Sequence, residues 1–120
     1  VADLFIDEEE DAFTTGWEKY LSSRQWGWLN PPYSNIAPWV RKCAEETEYG
    51  AQIAVLVPAS VGSNWWRDYV DGVAEVYFLN GRITFVGHTS PYPKDLALLL
   101  YAPSVTPGYT VWNWRAPCPD

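Results

Sequence analysis

The sequence predicts an α/β fold built on a mostly parallel sheet, with an antiparallel hairpin strand near the C-terminus. Apolar runs of strand length alternate with segments in which apolar residues recur at helical spacing. Such strand–helix alternation is typical of parallel βαβ units with right-handed crossovers. The dipeptide Asn80-Gly81 is a strong signal for a tight hairpin turn. With 120 residues, the chain fits a single domain, residues 1–120, whose core is of modest size.

Five strands and two helices are expected between two irregular ends. The expected elements are, in chain order, a strand at 25–29, a helix at 36–49, a strand at 52–57, a helix at 64–71, and strands at 74–79, 82–86 and 96–101. An acidic N-terminal segment, 1–16, precedes them, and a short loop or helical turn at 17–24 follows it. The tail, 102–120, contains four prolines and is therefore expected to be irregular.

The first expected strand and helix are bounded by clear signals. The apolar strand 25–29 ends at Asn30, because the two prolines that follow cannot continue a hydrogen-bonded ladder. In the next segment, apolar residues recur at helical spacing from Ile36 to Cys43. Gly50 stands where the C-terminal end of this helix is expected.

The second half of the chain continues the alternation. Residues 52–57 form an apolar run, which predicts a central parallel strand that is buried on both faces. Ser63 can cap the helix that follows. After the strand 74–79, the Asn80-Gly81 turn predicts that 82–86 returns as the second strand of a hairpin.

The charge of the chain is unusual for a nucleic-acid-binding protein. Fifteen acidic and eight basic residues give a net charge of −7, and six of the acidic residues lie between Asp3 and Asp11. From residue 12 onward, nine acidic residues face eight basic ones. Phosphate contacts usually require a basic surface. For a protein that binds nucleic acid, such a charge means that the contacts are few and local or that part of the binding surface is missing; otherwise the partner is not a nucleic acid.

Other classes of site find little support in the sequence. Cys43 and Cys118 lie far apart, which favours reduced thiols, and neither has a second metal ligand at close spacing, so no metal site is expected. His88 is the single histidine and lies in what reads as an ordinary loop, which disfavours a hydrolase. No apolar run approaches the ~20 residues that span a membrane, and no signal peptide is recognised.

The tetrapeptide Asn30-Pro31-Pro32-Tyr33 is the motif that indicates chemistry. Its prolines fix the backbone and carry no N–H, which leaves carbonyl groups free to face a ligand. The Asn30 side chain adds an acceptor, and the Tyr33 ring offers a flat surface for stacking. This combination suits an aromatic amine whose nitrogen attacks an electrophile, because the acceptors stabilise the developing positive charge. The alternative is a proline turn at a strand end with Tyr33 packed on the core.

The chain resembles the phage-type DNA N-6-adenine methyltransferases, the Dam-like phage family. The segments that carry the resemblance are 28–34, 36–40, 46–50, 55–59, 63–66, 79–85 and 91–100. Asn30-Pro31-Pro32-Tyr33 is shared by many amino methyltransferases, whereas its combination with Gly-Arg-Ile-x-Phe at 81–85 is much more specific. The resemblance covers most of residues 3–101.

The resemblance implies a Rossmann-like fold that transfers a methyl group from S-adenosylmethionine to the exocyclic nitrogen of a flipped adenine in double-stranded DNA. By analogy, Asn30, Pro31 and Pro32 form the catalytic turn that holds the amino group, and Tyr33 stacks on the base. Asp11 and Phe13 stand where the family's acidic stretch would contact the adenine ring of the cosubstrate. A family member of this type acts in the cytoplasm of a bacterial host, as a phage or prophage protein.

Further residues are candidates for contact with DNA. They are Ser34, Trp65, Trp66 and Arg82. The two tryptophans could contact bases, although packing of at least one of them in the core is the simpler interpretation. Arg82 could contact a phosphate, or serve only the solubility of the surface.

The chain departs from the family pattern at its beginning. The family places a further strand and a small-residue turn upstream of the acidic stretch, so an N-terminal truncation of the cosubstrate-binding strand is expected. Three interpretations remain open: a fragment, a short form completed by a partner chain or homo-oligomer, or a remnant that has lost the reaction. The last of these gives the alternative function, a non-catalytic, acidic protein-binding module on the same fold.

Overall fold

The computed structural model describes residues 2–5 and 26–114. Within these residues there are six strands and two helices: β1 (Ala2–Phe5), β2 (Trp26–Leu29), α1 (Ala37–Thr47), β3 (Ile53–Pro58), α2 (Asn64–Tyr69), β4 (Glu75–Leu79), β5 (Leu96–Tyr101) and β6 (Gly108–Trp112). The expected α/β class is confirmed. Within the described part, neither helix is long and apolar enough to cross a membrane.

The strands form one mixed sheet in the order β1-β2-β3-β5-β4-β6. The pairs β1–β2, β2–β3 and β4–β6 are parallel, whereas β5 is antiparallel to both β3 and β4. The sheet is therefore mostly parallel, as expected, with a single reversed strand among the described residues. That strand is β5 and not the predicted hairpin strand at 82–86.

The centre of the sheet is buried because its strands are apolar on both faces. Val55 of β3 lies opposite Leu99 of β5, and both side chains are fully buried. Deleting a buried side chain of this size in a core typically costs about 2–5 kcal/mol. These two strands therefore form the rigid base from which the neighbouring loops extend.

Both helices pack on the same face of the sheet, and the chain order explains why. The segments β2–α1–β3 and β3–α2–β4 each join parallel strands and step in the same direction along the sheet. Right-handed crossovers then place both helices on one side. In agreement, α1 and α2 contact each other and share a core that includes Trp39 and Trp66.

The other face of the sheet carries a smaller cluster, which we call the second-face cluster: Leu56, Leu79 and Leu96. The chain between β4 and β5, which we call the 82–95 loop, folds over this cluster. Half-buried side chains that pack against it include Ile83, Phe85, Tyr92 and Trp114. This loop is the structural element that brings distant residues to the end of β2.

Two predictions for the C-terminal third were wrong. Residues 82–86 form no strand, and the tail expected to be irregular contains β6. Both errors have one cause: the Asn80 N–H donates to the Trp112 carbonyl at 2.8 Å, so the chain after β4 is tied to β6. Because β5 and β6 pair with β4 on its two sides, the predicted hairpin strand has no edge to join.

The other differences are one additional strand and shifts at the ends of the two helices. A strand was not predicted at the N-terminus, yet β1 pairs in parallel with β2. The helix α1 ends at Thr47, before the expected residue 49, and Gly50 closes the following turn with φ of 100°. Ser63 occupies the N-cap position of α2 but makes no side-chain capping hydrogen bond, and α2 ends at Tyr69.

Candidate active site

The Asn30-Pro31-Pro32-Tyr33 turn lies at the carboxyl end of β2 and leads into α1. The Asn35 N–H donates to the Pro32 carbonyl at 3.1 Å, which closes the turn and occupies that carbonyl. Neither the Asn30 side chain nor the Pro31 carbonyl makes a hydrogen bond to a described residue. Asn30 is exposed. Pro31 is buried but lines the same cleft as Asn30, and no described residue engages either of these two acceptors at the cleft.

A cleft of about 630 Å³ opens beside these acceptors. Its described lining combines the turn with the 82–95 loop: Asn30, Pro31, Tyr33, Phe85, His88, Thr89, Ser90, Pro91, Tyr92 and Pro93. Ligand-binding clefts usually measure about 300–1,000 Å³ and combine apolar walls with a few polar groups. Open sheets bind ligands beyond the carboxyl ends of their parallel strands, which is where this cleft lies.

Tyr33 is held by an array of aromatic rings. Its ring meets Tyr92 edge-on, with centroids 5.5 Å apart at 70°, and Tyr92 meets Phe85 in the same way at 5.8 Å and 79°. Edge-to-face contacts of this kind stabilise by about 0.5–1.5 kcal/mol beyond burial. The ring position of Tyr33 is therefore set by residues of the 82–95 loop.

The Tyr33 hydroxyl has an unusual environment. Its oxygen is buried and has no hydrogen-bond partner among the described residues. Burial, with a smaller contribution from Tyr92, raises the pKa of Tyr33 to about 12. The hydroxyl is therefore protonated at neutral pH and cannot act as a base, although it keeps an O–H that can donate.

A second groove of about 300 Å³ lies on the α2 side of the motif. Tyr33, Ser34, Trp65 and Lys94 are among its lining residues. Ser34 is exposed and Trp65 is half-buried, so both predicted contact residues are brought to this groove. Tyr33 lines both the cleft and the groove and so connects the two.

Trp66 lies apart from the other predicted contact residues. It is 3% exposed, stacks on Phe78 with centroids 6.1 Å apart, and donates from Nε1 to the Tyr109 hydroxyl at 3.3 Å. Trp66 is therefore a core residue that joins α2 to β4 and β6, because it is buried, stacks on Phe78 and has its N–H already engaged. Of the two tryptophans, Trp65 alone remains a candidate for ligand contact.

Lys94 lies beside the motif, whereas Arg82 lies in an adjoining depression that Lys94 also lines. Arg82 is exposed and pairs with Asp95, Nε to Oδ1, at 3.4 Å. Exposed pairs of this kind contribute little to stability, so a phosphate could compete for Arg82. Lys94 lines the groove with Tyr33 and makes no ion pair with another described residue.

The cleft contains residues that the sequence analysis did not assign to this site. Phe85, His88 and Tyr92 come to the motif from more than fifty positions away in the chain. The available signal was the presence of two aromatic residues, Phe85 and Tyr92, in a segment that turn residues and prolines mark as a loop. Such residues in a loop often pack back onto the body of a domain.

The predicted cosubstrate residues and the second cysteine cannot be placed. Asp11, Phe13 and Cys118 lie outside the described residues. Cys43 is a free, buried thiol in α1, and burial raises its pKa well above the usual range. The described part contains no group of three or more metal-ligating side chains.

Comparisons with known proteins agree on one family. The family described as DNA N-6-adenine-methyltransferase (Dam) matches residues 1–96. The chain is 30% identical over 84 residues to a DNA N-6-adenine-methyltransferase of Escherichia phage T1, covering 70% of this chain and 34% of that protein. It is 28% identical over 111 residues to a protein of the same name from Haemophilus phage HP1 (strain HP1c1), covering 87% of this chain and 61% of that protein.

The chain thus spans between about a third and three fifths of the length of these curated relatives. No solved structure matches it significantly. The family match covers well over half of the chain and includes the Asn30-Pro31-Pro32-Tyr33 turn. The chain belongs to the DNA N-6-adenine-methyltransferase (Dam) family, as a phage-type member.

Proposed function

We propose that this chain carries the catalytic turn of a DNA adenine-N6 methyltransferase, which transfers a methyl group from S-adenosylmethionine to a flipped adenine. The observation that supports it most is a pair of acceptors beside the cleft, the Asn30 side chain and the Pro31 carbonyl, which no described residue engages. We further propose that the sheet is that of the Rossmann-like methyltransferases. Its order, with one reversed strand among parallel ones, is compatible with that fold.

The proposed chemistry rests on the two acceptors. They would accept hydrogen bonds from the two hydrogens of an adenine amino group, which raises the electron density on its nitrogen. As that nitrogen becomes positively charged in the transition state, the same oxygens stabilise the charge without any reorganisation. The Tyr33 ring would stack on the base, and the rigid Pro31-Pro32 backbone would keep the acceptors fixed.

The cosubstrate would be held near the same end of the sheet. S-adenosylmethionine, when bound, supplies an electrophilic methyl group. The size of the cleft and its mixed aromatic and polar lining fit a ligand of this class. Asp11 and Phe13 are proposed to contact its adenine ring, as the family resemblance implies.

Double-stranded DNA is the proposed partner. A stacked base cannot reach acceptors in a cleft, so the adenine must flip out, which costs a few kcal/mol of unstacking. Ser34, Trp65, Arg82 and Lys94 lie around the motif and are proposed to contact the strand. This local basic group is compatible with a chain whose net charge is −7, because few contacts are needed at one site.

The test compares three variants with the wild-type chain. Calorimetric titration measures binding of S-adenosylmethionine, and transfer of a labelled methyl group to unmethylated duplex DNA measures activity. We expect Asn30→Ala to lower the rate of transfer by about 10²–10³, the effect of losing one preorganised partner in an active site. Asn30→Asp keeps an acceptor oxygen and should retain part of the activity. Asn64→Ala changes an exposed asparagine of α2 and serves as the control.

Two results would count against the proposal. Transfer that is unchanged in Asn30→Ala would remove the assigned role of the side chain. A folded wild-type chain that neither binds S-adenosylmethionine nor transfers its methyl group would show that this chain alone is not the enzyme.

The family match does not favour the alternative of a non-catalytic acidic binding module. We propose that the protein acts on DNA in the cytoplasm of a bacterial host.

A further inference from the structure

Residues 85–88 form a tight turn within the 82–95 loop, at the edge of the cleft. The His88 N–H donates to the Phe85 carbonyl at 3.0 Å, which closes a four-residue turn. Gly87, at the third position, has φ of 87°, a conformation that this type of turn requires and that side chains disfavour. Phe85 and His88 both line the cleft, so the two residues between them form its outer lip.

Val86, the second residue of the turn, is the most exposed large hydrophobic side chain among the described residues. Its relative exposure is 103%, compared with 68% for Val111 and 64% for Val61. Single exposed apolar residues are common on proteins and need no explanation in themselves. The position of Val86, at the tip of a closed turn beside the proposed base site, is what distinguishes it.

The two arms of the loop that carry the turn are held in place. The Tyr92 N–H donates to the Ile83 carbonyl at 2.8 Å, which joins the two arms of the loop behind the turn. Ile83, Phe85 and Tyr92 all pack against the second-face cluster. A side chain carried on such a support loses little conformational entropy when it is inserted into a ligand, because its backbone is already ordered.

We propose that Val86 is a wedge that enters the base stack of the DNA when the target adenine leaves it. This inference rests on the proposed function and assigns a positioning role that the reaction itself does not require. Proteins can insert apolar side chains between base steps that are partly unstacked. A flipped base leaves a gap of the kind that such a side chain can fill, and a base held in the cleft would bring that gap close to the turn formed by residues 85–88.

The test separates flipping from simple contact. The sequence that the wild-type chain methylates is first mapped on treated DNA. Methyl transfer by the wild type, Val86→Ala and Val111→Ala is then measured on that duplex and on the same duplex with an abasic site opposite the target adenine. In the second duplex the adenine is already unpaired, so flipping costs less free energy and a wedge should have a smaller effect on the rate. A matched duplex with 2-aminopurine at the target position reports flipping by fluorescence.

We expect Val86→Ala to lower kcat/KM about tenfold on the paired duplex, because the variant would lose part of the free energy that favours flipping. On the abasic duplex, kcat/KM should fall less than about twofold. Its 2-aminopurine signal should fall with the activity. Val111→Ala should match the wild type on both, and both variants should unfold at the wild-type midpoint. An equal loss on the two duplexes would identify Val86 as an ordinary contact and overturn the inference, as would wild-type activity on both. If the wild type itself methylates no DNA, the proposed function fails, and the wedge fails with it.

Discussion

The same substitution, tyrosine to phenylalanine, is expected to have opposite effects at two buried positions. The Tyr33 hydroxyl oxygen is buried without a hydrogen-bond partner among the described residues. The Tyr101 side chain is also buried, but its hydroxyl donates to the Tyr69 carbonyl at 2.6 Å. Each change removes one oxygen and keeps the ring, so packing is altered equally and the difference isolates the hydrogen bond.

The magnitudes follow from the cost of an unpaired polar group. Burying a donor or acceptor without a partner costs about 1–3 kcal/mol. Tyr33→Phe removes such a group and should raise the free energy of unfolding by about 1 kcal/mol. Tyr101→Phe creates one, because the Tyr69 carbonyl loses its donor, and should lower the free energy of unfolding by about 1–3 kcal/mol. The two variants should therefore differ by about 2–4 kcal/mol.

Urea unfolding followed by tryptophan fluorescence measures both changes. A shift in the midpoint with an unchanged slope reports stability alone. A Tyr33→Phe chain that is less stable than the wild type by 1 kcal/mol or more would refute the reasoning, because the hydroxyl would then have a partner outside the described residues. Methyl transfer by Tyr33→Phe should stay close to the wild-type rate, since the stacking face is retained. A large loss of transfer would instead assign the hydroxyl to the ligand.

Three further predictions concern stability and reactivity. Burial raises the pKa values of Tyr33, Cys43 and Tyr101, so at alkaline pH the folded state keeps protons that the unfolded chain loses. The free energy of unfolding should therefore hold its full value below about pH 8 and fall as the pH rises towards 11. A urea midpoint that stays constant over this range would contradict the prediction. The Cys43 thiol should react with iodoacetamide no faster than the protein unfolds, and rapid native-state labelling would exclude the buried site. Glu46→Ala should destabilise the protein by about 1–3 kcal/mol, because Glu46 is only 5% exposed and its carboxylate lies 3.8 Å from the Lys42 Nζ. Glu45→Ala, which removes a carboxylate from an exposed pair, should change stability by less than about 0.5 kcal/mol. Equal effects of the two variants in thermal unfolding would contradict this difference.

The central strands could be predicted from the sequence because burial on both faces leaves a continuous apolar run. The predicted strand at 96–101 coincides with β5, and the one at 52–57 differs from β3 by one residue at each end. The direction of β5 could not be predicted in this way. A run that is apolar on both faces is equally compatible with parallel and antiparallel neighbours, so only the connections decide its direction.

The edge strand β6 shows the limit of local patterns. All five of its residues are exposed, so no alternation of buried and exposed side chains marks it. Its pairing with β4 joins segments far apart in the chain, and the neighbouring prolines indicate irregular structure. The Asn80-Gly81 turn signal was strong but local, and this long-range pairing overrode it.

Part of the site could be predicted because the motif is contiguous. Asn30 and Tyr33 belong to one turn, so the chemistry of their side chains could be considered together from the sequence. For the two tryptophans, helical spacing indicates which one is in the core, because Trp66 lies one turn before Val70 and both are buried. Trp65, one position earlier, must then point elsewhere and reaches the groove.

The absence of a hairpin strand at 82–86 and the position of the cleft have the same structural origin, the course of the 82–95 loop. A hairpin strand at 82–86 would need a free edge of β4, but β5 and β6 pair with both sides of that strand. Without a ladder to join, the loop folds over the second face of the sheet, where Phe85 and Tyr92 pack in the second-face cluster. That course completes the wall of the cleft that contains Asn30. The strand β6, which has no burial pattern of its own, therefore determines where the cleft forms.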